Sequence, residues 1–311
     1  MQNTVKIIDK SPIRKPLVIG ATIIDRNCKL KEPTVFATTI PGSIKTIIGG
    51  VGRNLATTMS KLGIYPRFLT CIPKDLKLHD GIDSSLFKID DSGSSVVSIL
   101  DEKGELIIGC AEITLSITRK DIENAIKDAS IVVFDANIST ECILEILKQN
   151  EIPTIFEPTS VSKSVSIIGC GKANIVTPNL SEFNFMADHL PESIIDFEFE
   201  EITEFADIFK KASKFSEICD YLVLKMGKDG VLLFSFCEKQ VKFFNAPISE
   251  IVNVSGSGDT LVGALATILS KSSRVDWKIV ERGVEFGIEA AAKTLSSHEN
   301  VGNLEGFLRN F

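Results

Sequence analysis

The sequence predicts a three-layer α/β/α fold, with a mostly parallel central sheet and a small inserted β-lid. Three observations predict it. Short β-branched runs alternate with longer helix-periodic stretches along most of the 311 residues. That alternation is the pattern of parallel strands joined by helical crossovers and covered on both faces. Two segments, about 27–48 and 86–111, break the rhythm with extended runs and no helical period, and these form the lid. Apolar residues at 44% and charged residues at 24% give the balance of a core with a solvated surface. The chain, 1–311, is read as a single domain.

Taken in order, Leu17–Ile19 reads as a buried strand. Gly50–Leu62 reads as a helix with Leu55, Met59 and Leu62 on one face and Gly63 closing it. In the lid, Ser95–Leu100 and Glu105–Ile108 are extended runs, and the Asp-Glu-Lys-Gly stretch between them is a hairpin signal. Ile131–Phe134 is a strand, followed by a helix over Glu141–Lys148. Thr154–Phe156, Ile175–Val176, Tyr221–Leu224 and Val231–Phe234 are further strands. Thr260–Leu269 and Val284–Leu295 are helices, and Pro191–Glu204 is an acidic, solvated helix or loop.

Composition excludes several classes. With 34 basic and 41 acidic residues the net charge is −7, so no broad basic face for a nucleic-acid backbone is expected. Seven scattered cysteines without a C-x-x-C pair read as free thiols in a reducing compartment, and three histidines do not suit a Cys/His metal cage. No apolar run reaches signal-peptide or membrane-span length, so a cytoplasmic chain without membrane contact is expected.

The strongest local signal is Asn253-Val254-Ser255-Gly256-Ser257-Gly258-Asp259 at the start of a helix. A helix N-terminus offers unpaired N–H groups and the positive end of a dipole, and glycines let the backbone close on a phosphate. Gly256, Ser257 and Gly258 are therefore an anion hole. Asp259 reads either as a first-turn acid or as a group that accepts a proton from a hydroxyl attacking that phosphate. Neither the Walker A loop nor the dinucleotide G-x-G-x-x-G is present. Gly49-Gly50-Val51-Gly52-Arg53-Asn54 lets a ligand approach the backbone, with Asn54 offering a donor and an acceptor. Asp25 follows the first strand. Asn179-Leu180-Ser181-Glu182 reads as a capping arrangement, with Asn179 as N-cap and Glu182 three residues on. Lys225-Met226-Gly227-Lys228-Asp229-Gly230 is a strand–turn–strand in which Lys225 either neutralises phosphate or is a solvated turn residue.

Together these motifs resemble the signatures of the PfkB (ribokinase-like) carbohydrate and nucleoside kinases, in the same order from Leu17 to Leu295. The resemblance implies the ribokinase-like version of the fold. It implies Asp259 as catalytic base beside the hole of Gly256, Ser257 and Gly258. Asp25, Gly49, Gly50, Asn54 and Asn137 would bind the sugar, Asn179, Lys225, Gly227 and Gly230 the nucleotide, and Glu182 the metal. It implies ATP and Mg²⁺, with a monovalent cation such as K⁺ beside the Asn253 loop. Asn253 in place of the usual Asp, together with Asp135-Ala136-Asn137 and Glu157-Pro158-Thr159, makes the chain most similar to the branch acting on pseudouridine at its 5′-hydroxyl. Ribose, adenosine or a fructose derivative are the other acceptors of the family, and a catalytically silent nucleoside-binding protein is the alternative of another class. Glu112 stands where a lid Asp is usual. Lys163 is expected either to anchor an anion or to pair with Glu157. A homodimer through the β-lid is the expected assembly, because open sheet edges can cover one another.

Overall fold

The computed structural model describes residues 14–310 apart from 80, 91–92, 150, 196, 198–205, 248–249 and 273. Nine strands form the main sheet in the order β13-β12-β11-β10-β9-β8-β1-β4-β5. They are β1 (Lys15–Ile19), β4 (Arg67–Ile72), β5 (Phe87–Ile89), β8 (Ala129–Asp135), β9 (Thr154–Glu157), β10 (Ala173–Val176), β11 (Cys219–Lys225), β12 (Val231–Ser235) and β13 (Gln240–Phe244). From β11 to β5 every neighbouring pair is parallel, while β12 and β13 close one edge as antiparallel strands. Strands buried on both faces need continuous apolar sequence. Val132 to Phe134 and Leu222 to Leu224 supply it, all fully buried.

Helices cover both faces. One core cluster packs α2 (Arg119–Ile126), α3 (Thr140–Leu147), α4 (Leu180–His189) and α5 (Ala206–Ser213) on the sheet, and a second packs α1 (Val51–Lys61), α6 (Ser257–Leu269) and α7 (Trp277–Leu295). Seven phenylalanines, Phe68, Phe134, Phe156, Phe183, Phe215, Phe234 and Phe286, are fully buried. Each buries of order 150–250 Å², so they carry a large share of the hydrophobic stabilisation. α7 starts seven residues earlier than the sequence pattern suggests, because Asp276 caps it by accepting from Ile279 N at 3.1 Å. Glycine sets how closely the helices meet: a Cβ on Gly263 of α6 would lie 2.7 Å from Thr58 Cβ of α1.

A second sheet of four strands, in the order β3-β2-β6-β7, is built from β2 (Ile23–Leu30), β3 (Gly42–Gly49), β6 (Ser94–Leu100) and β7 (Leu106–Glu112). Asp25 thus lies inside a lid strand, not in a loop after β1. The β6–β7 hairpin turns at Asp101, whose Oδ1 accepts from Lys103 N and Glu105 N. Every residue of β7 is exposed, Glu112 included. The acidic stretch 191–204 falls largely outside the described residues, but Phe197 within it packs on Phe234 with ring centroids 5.4 Å apart. Among the described residues, no helix is long and apolar enough to cross a membrane. All seven cysteines are free, as expected.

Candidate active site

The site gathers at the carboxyl ends of the parallel strands, where chain crossovers leave a crevice. Gly256 precedes α6 with φ 76°, and a Cβ there would lie 1.9 Å from Asn300 O. Only glycine fits such a left-handed, crowded turn. The turn is pinned from behind. Thr260 Oγ1 donates to Gly256 O at 2.9 Å and shares a hydrogen bond with Thr294 Oγ1, which also accepts from Gly302 N. Val252 N and Asn253 N donate to Leu295 O, and Asn253 Oδ1 accepts from Ser255 N. Of the first-turn N–H groups of α6, that of Ser257 donates to Val254 O at 3.4 Å, while those of Gly258 and Asp259 stand at the helix N-terminus without an intrahelical acceptor.

Asp259 sits in that first turn, and its Oδ2 accepts from Asn54 Nδ2 of α1 at 2.7 Å. Burial pushes the Asp259 carboxyl above the usual range, Asn54 and Lys225 pull it down, and Asp135 and Glu182 push it up. Asn54 is buried at 6% exposure. Gly49 and Gly50 lead into its helix. A Cβ on Gly49 would lie 2.2 Å from Asp25 Oδ2 and 3.8 Å from Asn300 Nδ2, and Gly50, at φ 96°, passes Ala21 O just as closely. The glycine pair therefore leaves room for the Asp25 carboxylate next to the start of α1. Burial raises Asp25 above the usual range.

Asp135, at the end of β8, is the clip behind these loops. Its Oδ2 accepts from Ala21 N and Gly52 N, and its Oδ1 from Asn137 N, each at 2.9 Å. Desolvation nevertheless raises it, against three backbone N–H donors and the Asn137 side chain. Asn137 is thereby held two residues past β8, and its Oδ1 accepts from Lys163 Nζ.

Lys225 is not a solvated turn residue. It ends β11 with its side chain 12% exposed, and its Nζ donates to both oxygens of Glu157 at 2.8 Å. The pairing of Glu157 with Lys163 therefore does not form; β9 and β11 both flank β10, so Glu157 and Lys225 meet across it. Lys225 Nζ also lies 3.6 Å from where a Gly258 Cβ would be, at the rim of the anion hole. Burial pushes Glu157 up to about 7, opposed by Lys225 and reinforced by Glu182 and Asp259. Gly227 and Gly230 adopt φ 62° and 96°, as this tight turn requires. With Ala246, Pro247, Leu261 and Ile288 they line a mainly apolar cleft of about 410 Å³ that ends at Ser257 and Gly258.

Asn179 and Glu182 form the capping box: Glu182 N donates to Asn179 Oδ1 at 3.0 Å, and Asn179 N to Glu182 Oε2 at 2.9 Å. Glu182 is 2% exposed. Among the described residues no group of three acids, cysteines or histidines is arranged to chelate a metal. Sequence reasoning missed Asn300, whose backbone carbonyl crowds the Gly256 turn and whose Nδ2 lies 3.8 Å from where a Gly49 Cβ would be. It lies in a loop after α7 with no motif around it.

The pfkB family carbohydrate kinase model matches residues 14–305. The chain belongs to that family. It is 32% identical to a pseudouridine kinase of Arabidopsis thaliana over 193 residues, 57% of this chain and 51% of that protein. It is 28% identical to a pseudouridine kinase of Escherichia coli over 270 residues, 81% of this chain and 82% of that protein. A pseudouridine-metabolizing bifunctional protein of Schizosaccharomyces pombe is 25% identical, with 91% of this chain and 46% of that protein covered. The match thus spans about half the length of the plant and yeast relatives. Among solved structures, a Thermotoga maritima ribokinase superposes with a TM-score of 0.73 at 23% identity, covering 96% of this chain and all of the other. An Arabidopsis thaliana ribokinase complexed with ribose and ATP gives 0.72 at 17%, covering 93% and 96%. These similarities establish the ribokinase-like fold that the sequence motifs imply.

Proposed function

We propose that the chain is an ATP-dependent kinase that phosphorylates the 5′-hydroxyl of pseudouridine. The observation that carries this is the Asn54–Asp259 contact at 2.7 Å, at the mouth of a glycine-built helix N-terminus. A carboxylate beside an anion hole repels a resting phosphate but suits a hydroxyl that must lose its proton as it attacks one. The adenosine moiety lies in the apolar cleft past Gly227 and Gly230, and its terminal phosphates reach Gly256, Ser257, Gly258 and Lys225. Asn179 borders the same strand end, bridged to Lys225. Asp25, Gly49, Gly50, Asn54 and Asn137 hold the nucleoside so that its hydroxyl points at the terminal phosphorus. Asp259 takes the proton, while positioning and fixed dipoles lower the barrier.

Glu182 fits a hydrated Mg²⁺ that gains most of its oxygens from phosphate and water, since among the described residues no group of three such donors is arranged to chelate a metal. Glu182 would hold it through water, and the ion would neutralise charge on the phosphates. A monovalent cation beside the Asn253 loop would meet backbone carbonyls and the second lone pair of Asn253 Oδ1, whose first accepts from Ser255 N. Pseudouridine as acceptor is supported by the relatives that carry that name and by the Asn253 signature. The exposed apolar residues of the lid, Ile44, Leu106 and Ile108, support a homodimer formed through it.

The test is ADP release with pseudouridine, uridine, adenosine and ribose. Pseudouridine should give the highest kcat/KM. Asp259→Asn should lower kcat by about 10²–10⁴-fold, the usual worth of a general base, while nucleotide affinity stays within a few-fold. Equal turnover in the variant would remove the base assignment. Preference for another acceptor would reassign the substrate.

A further inference from the structure

Two asparagines of the acceptor side each have their amide oxygen claimed by a cation. Arg53 Nη1 donates to Asn54 Oδ1 at 3.1 Å, and Lys163 Nζ donates to Asn137 Oδ1. Guanidinium and ammonium groups have no lone pair to offer, so only the oxygen end of an amide can face them. The other end is then fixed without further choice. In Asn54 the –NH₂ faces Asp259. In Asn137 the –NH₂ is buried and, among the described residues, has no partner at full hydrogen-bond geometry, although it lies close enough to the Asp135 carboxylate to help lower it. A buried donor left unpaired costs free energy, and such groups in folded proteins usually await a ligand or water. Lys163 is half-buried. Arg53 is largely withdrawn from water, and its guanidinium is lowered by desolvation, opposed by Glu299. Its Nε also lacks a partner.

We propose that Arg53 and Lys163 are positioning residues that lock the amides of Asn54 and Asn137, keeping the –NH₂ of Asn54 on Asp259 and that of Asn137 turned to the acceptor substrate. The reading rests on the kinase assignment above. Arg53 acts on the chemistry: without it the Asn54 amide is free to turn its oxygen to Asp259, which removes a donor from the carboxylate and sets two oxygens against each other. Lys163 acts on recognition: it makes Asn137 a donor only, so the matching substrate atom is one that accepts, such as a carbonyl or ether oxygen.

The experiment compares the wild type with Arg53→Met, Arg53→Lys, Lys163→Met and Lys163→Arg, each checked for folding by thermal melting. Arg53→Met should lower kcat by about tenfold or more, the worth of one charge-assisted hydrogen bond, and move the acid limb of kcat/KM to higher pH. Arg53→Lys, a donor without an acceptor, should restore both in part. Lys163→Met should raise KM for the acceptor about tenfold and leave KM for ATP within twofold, and Lys163→Arg should rescue it. A readout independent of turnover uses nitrogen-labelled protein. The Asn54 side-chain NH₂ resonances should follow the titration of Asp259 in the wild type and cease to do so in Arg53→Met. Should Arg53→Met not fold, Arg53→Gln replaces it, since its own amide can hold Asn54 in either sense. An unmoved acid limb together with unchanged NH₂ titration overturns the role of Arg53, and an unchanged acceptor KM in Lys163→Met overturns that of Lys163. Loss of activity in Asp259→Asn alongside such results leaves the kinase reading intact, whereas absence of ADP release from the wild type with every acceptor refutes the kinase reading and not the amide locks, which the resonances test by themselves.

Discussion

Replacing Glu157 by Gln should change how the stability of the protein depends on pH, and the structure sets the size of the change. Glu157 is 3% exposed. It faces Lys225 at 2.8 Å through both oxygens, the Thr177 hydroxyl, and the neighbouring charges of Glu182 and Asp259. Burial outweighs the ion pair, and the carboxyl moves from the usual 4.5 to about 7. At about 1.36 kcal/mol per tenfold change in proton affinity, that rise corresponds to at most about 3 kcal/mol. Because the folded state holds this proton more tightly than the unfolded chain, the stability it contributes is complete below about pH 4.5. It is lost as the pH rises to and through about 7. Gln mimics the protonated acid and cannot titrate. The measurement is urea unfolding of wild type and Glu157→Gln at intervals from pH 4.5 to 8. The variant should gain on the wild type across that window by up to about 3 kcal/mol, with Asp25 and Asp135 contributing to both proteins alike. Parallel curves would refute the reasoning and would mean that Lys225 keeps Glu157 ionised throughout.

Other outcomes follow from the same geometry. Since burial raises Asp259, the acid limb of kcat/KM should lie above the ordinary carboxylate range, and a pH–rate profile of the free enzyme checks it. Gly256→Ala places a methyl 1.9 Å from Asn300 O at φ 76°. Strain and overpacking together should cost about 2–5 kcal/mol and abolish turnover, read by urea unfolding and ADP release. Asp135→Ala leaves the N–H groups of Ala21, Gly52 and Asn137 without their acceptor. At about 1–3 kcal/mol for each buried unpaired donor, the variant should lose at least about 3 kcal/mol, and Asp135→Asn, which keeps one oxygen, should lose less.

The parallel sheet was legible because a strand buried on both faces must be apolar along its length, as Val132 to Phe134 are. The glycine turns were legible for the same kind of reason: Gly50, Gly227, Gly230 and Gly256 all take positive φ, which few other residues tolerate. β4, β5 and β13 escaped notice. Arg67–Ile72 mixes Arg67, Thr70 and Cys71 with its apolar residues, and Phe87–Ile89 is only three residues long. Charge partners were the least legible. Which lysine meets Glu157 depends on strand order, and β9-β10-β11 brings Lys225 across while Lys163 turns to Asn137. Sequence motifs thus mark the residues that must be glycine or carboxylate, whereas the residues that aim them are chosen by topology. Arg53, Lys163, Asp135 and Asn300 belong to that second set. Each acts through a backbone amide, a side-chain amide or a crowded turn, so their effects should appear first in pH profiles and acceptor KM, before they appear in whether the fold forms at all.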